Sequence, residues 1–418
     1  MLNFYENKPA TLPRFFYRNF LSHIKLHRIS GNDAIDLFEK SLLSSKGGDF
    51  LKFTFNIPIQ FNEVFNEEEL KKLNEILKTR RNKTPQKLKK YVFPHVSDEF
   101  SLTNVFLESV FDKSRLPLIS INDIFFTMGS CFARNFSSFL KHKGIHSQNF
   151  GQSEDLNTPG SNSLLLKYAA INNEKKLKDE LLKLIDIYWA DLPTDAKKIF
   201  LEEKFSEIIS IKKTLESSTK IIMTLGNTVD FYRVCNGYDE LVPKFIALSH
   251  SEDVNERNDA ASRVKKAGAF IRLSKFDETR VYIQNIYEAI RSVNSKASII
   301  FTVSPVPIDS VIGINEPLNL GAIEIDCVSK STIRSALHEA MLSELFIADK
   351  NLFYLPSYEI VRWVAPIVGL PIFGSEDAAS RHVSNKVLNA ICNFIYSNNA
   401  IEAQEPLEML KYNFTYKI

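Results

Sequence analysis

The chain has 418 residues, 44% hydrophobic and 24% charged, a globular composition that excludes a disordered, collagen-like or linker-rich protein. Its 52 basic and 50 acidic residues leave a net charge of +2, which carries no electrostatic footprint of a nucleic-acid binder. Cys131, Cys235, Cys327 and Cys392 form no CxxC pair, so neither a zinc site nor a disulfide framework is expected, and reduced thiols in a cytoplasmic protein are the simple reading. There are only 14 glycines, about half the usual share of about 7%, so each marks a place where the backbone demands one.

The first residues, Met1 to Lys8, show no basic flank followed by an apolar core, and no signal peptide is expected. Residues 1–118 read as a separate accessory region. Asn66 before Glu67, Glu68 and Glu69 is a helix start, with acids at the positive end of the helix dipole. Leu70, Leu73 and Leu77 give that helix one apolar stripe. The basic run over 80–90 reads first as a solvated face or loop, and otherwise as a peripheral dock for an anionic glycan, lipid surface or partner.

From residue 119 the pattern changes. Ile121 to Met128, Lys220 to Leu225, Ala297 to Ser304 and Leu352 to Leu355 are short runs, largely apolar on both faces, which suits strands buried in a parallel sheet. Helical patterns lie between them. The stretch 161–218 is rich in Lys and Glu, with Leu177, Leu181, Leu184 and Ile185 in register, and reads either as an inserted helical lid or as a long connection. Ser274 with Asp277 resembles a capping box ahead of the stripe Tyr282, Ile286, Ala289, Ile290 and Val293. Further helices are predicted over 331–346 and 383–396. The most apolar stretch, 360–374, is broken by Arg362, Pro366 and Pro371 and is too short to span a bilayer. The alternation predicts an α/β protein, a three-layer α/β/α sandwich around a mainly parallel sheet, with a main domain over 119–400 and a tail over 401–418. Ligands in such sheets bind beyond the carboxyl ends of the strands.

The sharpest local feature is Thr127-Met128-Gly129-Ser130-Cys131-Phe132-Ala133. It ends an apolar strand and opens a helix whose apolar side is Phe132, Ala133, Phe136 and Leu140, stopped by Gly144. A serine at such a turn presents its hydroxyl beyond the sheet edge, with its own amide near a helix N-terminus that favours negative charge. Those are the needs of a nucleophile with a built-in oxyanion donor. An N-cap serine has the same spacing, and Cys131 is a rival nucleophile or a small buried side chain. His142 and His146 are four apart, but Gly144 breaks the helix between them, so no metal site is expected.

Gly129-Ser130-Cys131-Phe132-Ala133 resembles the signature of the GSCFA family, a branch related to SGNH/GDSL esterases and acyltransferases. Asn149-Phe150-Gly151, Asn157-Thr158-Pro159, Thr224-Leu225-Gly226-Asn227-Thr228, Thr302-Val303-Ser304-Pro305-Val306 and Tyr354-Leu355-Pro356-Ser357-Tyr358 extend the resemblance in family order over roughly 120–395. The resemblance implies an SGNH-hydrolase-like, flavodoxin-like fold. It implies Ser130 as nucleophile, His382 as general base, and Gly151 and Asn227 as oxyanion donors. Asn227 adjoins Gly226, where the wider superfamily leaves one residue between glycine and asparagine, and a structural amide capping the next loop is the other reading. The superfamily's acid position holds Ala379; either Asp377, beside Glu376, reaches the imidazole, or the chemistry runs on a Ser–His dyad. Arg381 is a candidate for binding an anionic substrate, or an exposed arginine.

By the same resemblance the expected activity is that of an SGNH-type serine esterase or O-acyltransferase acting through an acyl-serine. The expected substrate is an acylated, O-acetylated carbohydrate or a surface-polysaccharide precursor. Hydrolysis needs no cofactor; transfer needs an acyl donor such as acetyl-CoA. The alternative from another class is a non-catalytic glycan- or partner-binding protein on a decayed esterase scaffold.

Overall fold

The computed structural model describes residues 20–21, 23–44, 59–82, 107, 111, 116–129, 131–151, 156–248, 262, 264–309, 314, 319–366, 372–374 and 381–397. The chain divides into two compact units, Met1–Tyr91 and Val92–Ile418.

In the first unit, helices α1 (Gly31–Ser44) and α2 (Glu67–Asn82) share a small core in which Phe20, Phe38, Phe61, Phe65 and Leu73 are buried. The expected start of α2 is realised reciprocally: Glu69 N–H donates to Asn66 Oδ1 at 2.9 Å, and Asn66 N–H donates to Glu69 Oε2 at 2.8 Å. Two orphan N–H groups are thereby satisfied. α2 carries the basic run as far as Asn82; its continuation over 83–90 lies outside the described residues, as does the tail 401–418.

The second unit is built on a five-stranded, wholly parallel sheet: β1 (Ile124–Gly129), β2 (His146–Gly151), β3 (Lys220–Leu225), β7 (Ser298–Val303) and β8 (Leu352–Leu355), in the order β2-β1-β3-β7-β8. A smaller antiparallel sheet, β5-β4-β6, is formed by β4 (Val229–Cys235), β5 (Tyr238–Leu241) and β6 (Ala269–Leu273). Helices α3 (Cys131–His142), α4 (Pro159–Ala169), α5 (Glu174–Tyr188), α6 (Thr194–Ser217), α7 (Phe276–Val293), α8 (Ala322–Met341) and α9 (Asn385–Ser397) complete the unit.

The pleat sends alternate strand residues to opposite faces. Phe126, Met128, Ile221, Met223, Ile299 and Phe301 share one core with α4 to α8. Phe125, Ile222, Ile300 and Leu355 share the other with α3, α9 and Leu107, Leu116 and Ile119. Both faces are covered, which makes the three-layer α/β/α sandwich and explains why the central strands are apolar throughout. The lysine- and glutamate-rich stretch after residue 161 contributes to one layer: Leu165, Leu177, Leu181, Ile185, Ile208, Ile211 and Leu215 are buried in the same core as Phe126, Met128 and Met223 of the sheet.

Several local expectations shift. The capping box of α7 is made by Glu278, whose Oε2 accepts the Lys275 N–H at 2.7 Å. Ser274 is unavailable because its hydroxyl donates to buried Asp230 at 2.8 Å. The helix expected over 331–346 begins earlier, at Ala322, and ends at Met341; a separate turn follows over Glu344–Ala348. β2 has no apolar signature because it is an edge strand, with Gln148 and Asn149 only half-buried.

Candidate active site

In a parallel sheet of order β2-β1-β3-β7-β8 the chain reverses its direction of growth between β1 and β3, and the crevice beyond their carboxyl ends is where ligands bind. The segments leaving these strands carry the motifs singled out above. β1 ends at Gly129 and α3 starts at Cys131, so the expected strand-to-helix turn is present. Gly129 has φ +137°, and a Cβ there would lie 2.6 Å from the Thr224 carbonyl oxygen on β3. Only glycine permits that approach. Ser130 lies outside the described residues, as do Glu376, Asp377 and Ala379.

A cavity of about 170 Å³ opens at this edge, lined among the described residues by Cys131, Arg134, Asn157, Gly226, Asn227, Ser304, Val306, Ile308, Lys330, Arg381 and His382. The structure therefore brings together Asn227, His382, Arg381 and the residue that follows Ser130. Gly151 is not among the described lining residues of this cavity. Gly151 ends β2, level with Gly129, and lines a separate cavity of about 220 Å³ with Met128, Asn149 and Phe150.

Each loop around the first cavity is held from behind. Asn227 is buried at 4% exposure, and its Oδ1 accepts the Val229 N–H at 2.8 Å. That bond fixes the amide, so Nδ2 is its donor end. Ser329 Oγ accepts the Thr228 N–H at 2.7 Å, Lys330 Nζ donates to the Gly226 carbonyl, and Asp326 Oδ1 accepts the Ile308 N–H at 3.0 Å. These three side chains, on two successive turns of α8, clamp the β3–β4 link and the loop after β7. Arg362 neutralises Asp326 at 2.7 Å.

On the opposite side, the Asn157 carbonyl accepts both the Gly226 and Asn227 N–H groups, each at 3.1 Å. A Cβ on Gly226 would collide with that carbonyl and lie 2.7 Å from Asn157 Nδ2, so the close approach again requires glycine. Thr158 caps α4, accepting the Ser161 N–H at 3.0 Å, while its hydroxyl donates to Asp230 Oδ1 at 2.6 Å. Asp230 is fully buried; it also pairs with Lys244 at 3.1 Å. The network locks residues 157–160 to β4, since a buried carboxylate left without partners is strongly unfavourable.

His382 stands just before α9. Its carbonyl accepts the Gly374 N–H at 3.0 Å, Ser384 N–H donates to the Ile372 carbonyl at 2.8 Å, and Phe373 and Val383 form an antiparallel bridge. The backbone on both sides of the imidazole is thus pinned. Arg381 Nε lies 3.6 Å from Asp309 Oδ1.

Arg134, Asn157, Ser304 and Lys330 line the cavity without having been singled out as site residues from sequence. Lys330 left a readable trace: with Asp326 and Ser329 it places polar residues on the helix face that also carries Ile325, Ile333 and Leu337. Asn157 stood in sequence as the head of the motif Asn157-Thr158-Pro159, one residue ahead of a helix start, with no role attached.

No match was found among curated proteins. The model of the GSCFA family matches residues 124–393, the span that holds the parallel sheet and every described lining residue of this cavity. With a match of that length, the chain belongs to the GSCFA family.

Proposed function

We propose that the protein is a serine esterase or O-acyltransferase of SGNH type, acting through an acyl-serine intermediate at this cavity. The observation that carries the reading is that Asn227 and His382, 155 positions apart in sequence, line one cavity together with Cys131, the neighbour of Ser130. Ser130 Oγ attacks the acyl carbonyl carbon while His382 accepts its proton. The carbonyl oxygen becomes an oxyanion, received by the Ser130 amide and the Asn227 side-chain amide. The bond to the leaving alcohol breaks, and His382 returns the proton to that alcohol oxygen. Water or a sugar hydroxyl then gives its proton to His382 and takes the acyl group, regenerating Ser130. Asp377 is the acid that would orient the imidazole; without it the site works as a dyad, with weaker control of the tautomer.

The lining also bears on the substrate. Arg134, Lys330 and Arg381 are cationic, and no carboxylate stands among the described lining residues. Such a site favours an ester carried next to a phosphate or carboxylate. An O-acetylated, phosphate-activated or lipid-linked glycan precursor meets that description, and acetyl-CoA does so as a donor for transfer. The family relation points the same way at the level of analogy.

The test is labelling with a fluorophosphonate probe. Labelling that is lost in Ser130→Ala and weakened in His382→Ala supports the enzyme. Folded protein that does not label supports the second reading, a glycan- or partner-binding scaffold.

A further inference from the structure

The geometry points to the side-chain amide of Asn157 as an oxyanion donor beside Asn227, in the role that the resemblance implied for Gly151. The inference rests on the acyl-serine reading above. Asn157 is 1% exposed and lines the cavity that holds Asn227 and His382, whereas Gly151 lines another. Its Oδ1 accepts a hydrogen bond from Asn162 Nδ2 at 3.3 Å. Its Nδ2 is buried with no hydrogen-bond partner, and among the described residues lining this cavity it is alone in that respect.

A buried amide N–H without an acceptor costs about 1–3 kcal/mol, so a donor left in that state calls for an explanation. An oxygen that acquires charge only during reaction supplies one, because the donor is then preorganised for the transition state. The surroundings hold it rigidly. The Asn157 carbonyl is tied to the Gly226 and Asn227 amides, and Thr158 is anchored to buried Asp230. Gly226, by lacking a Cβ, lets Nδ2 sit directly against the β3–β4 link. Two side-chain amides, Asn157 from the segment after β2 and Asn227 from the segment after β3, thus border one cavity.

The experiment compares turnover of p-nitrophenyl acetate by wild type, Asn157→Asp, Asn157→Ala and the helix-cap control Asn173→Ala, with thermal melts to establish folding. Asn157→Asp keeps the acceptor toward Asn162 and loses the donor. The expected result is a fall in kcat of about 10²–10³-fold in both Asn157 variants, with KM changed little. Asn173→Ala, which removes the Oδ1 that accepts the Lys176 N–H at the start of α5, is expected to lower the melting temperature and leave kcat near wild type. Folded Asn157 variants whose kcat stays near wild type overturn the inference while leaving Ser130-dependent turnover, and hence the acyl-serine reading, intact. Absence of any Ser130-dependent turnover overturns both. A second measurement needs no substitution at Asn157: in a crystal structure of the wild-type phosphonate adduct, the phosphonyl oxygen should lie within about 3.2 Å of Asn157 Nδ2. An adduct whose oxygen points elsewhere overturns the inference.

Discussion

The ammonium of Lys330 donates to the carbonyl oxygen of Gly226, and Lys330 is only 2% exposed. Gly226 lies between β3 and the Asn227 amide, so a helix more than a hundred residues away in sequence sets the position of the cavity wall. Lys330→Met keeps the stem and removes the donor, leaving a buried carbonyl unsatisfied. The expected loss is about 1–3 kcal/mol of stability, together with reduced Ser130 labelling. Lys198→Met, at a side chain that is 71% exposed, should leave the urea midpoint unchanged. Equal midpoints for the two variants would remove the structural role of Lys330.

Ser130 and Cys131 compete for the role of nucleophile. Cys131 is half-buried and lines the cavity. Cys131→Ala should retain most fluorophosphonate labelling, while Ser130→Ala abolishes it, since an attacking alkoxide and a packed thiol respond differently to truncation. The opposite pattern would transfer the chemistry to the thiol.

Arg381 and Arg134 are read as binding the negative group of the substrate. Arg381→Gln is expected to raise KM for a phosphate-bearing acetyl ester by about tenfold, equivalent to about 1.4 kcal/mol. KM for neutral p-nitrophenyl acetate should stay unchanged. Steady-state kinetics with the two esters decides it, and an equal rise for both would point to a disturbed His382.

Asp349 links α7 to the turn ahead of β8. It accepts from Arg291 Nε at 2.7 Å, Tyr287 OH at 3.0 Å and Asn351 N–H at 2.8 Å. Burial by itself would raise its pKa, but the Asn351 amide, the Arg291 guanidinium and the Tyr287 hydroxyl prevail and hold the carboxyl below its usual value. A depressed carboxylate adds stability that is fully present above the unfolded value of about 3.9 and is lost as pH falls through the folded value. Asp349→Asn should therefore cost about 2 kcal/mol at neutral pH. The gap to wild type should narrow as pH falls below the unfolded value. Urea titrations at neutral and at acid pH measure it, and a gap independent of pH would contradict the assignment.

The central strands and the turn at Gly129–Cys131 were legible because their causes are local. A strand buried on both faces must be apolar along its length, and a tight strand-to-helix turn against a neighbouring strand demands glycine. The inner strands β1, β3 and β7 announced themselves in this way. Of the two edge strands, which are under no such demand, β8 still carries the apolar run Leu352–Leu355, whereas β2, with His146, Gln148 and Asn149, does not. The antiparallel sheet β5-β4-β6 was equally silent: Asp239 and Glu240 are both exposed, so β5 shows no apolar alternation, and the sheet's pairing is set by contacts outside each strand.

The cavity divides along the same line. Cys131, Asn227, Arg381 and His382 stood next to recognisable motifs and fall in one place. Gly151 ends β2 beside Gly129 but lines the neighbouring cavity. The sequence by itself determined the parallel sheet, the edge at which to look and the family signature, since each is written in neighbouring residues. Only the tertiary structure decided that Asn157 and Lys330 border the cavity. Their positions depend on a carbonyl shared with Gly226 and Asn227 and on a helix turn opposite, relationships spanning 69 and 104 residues of chain.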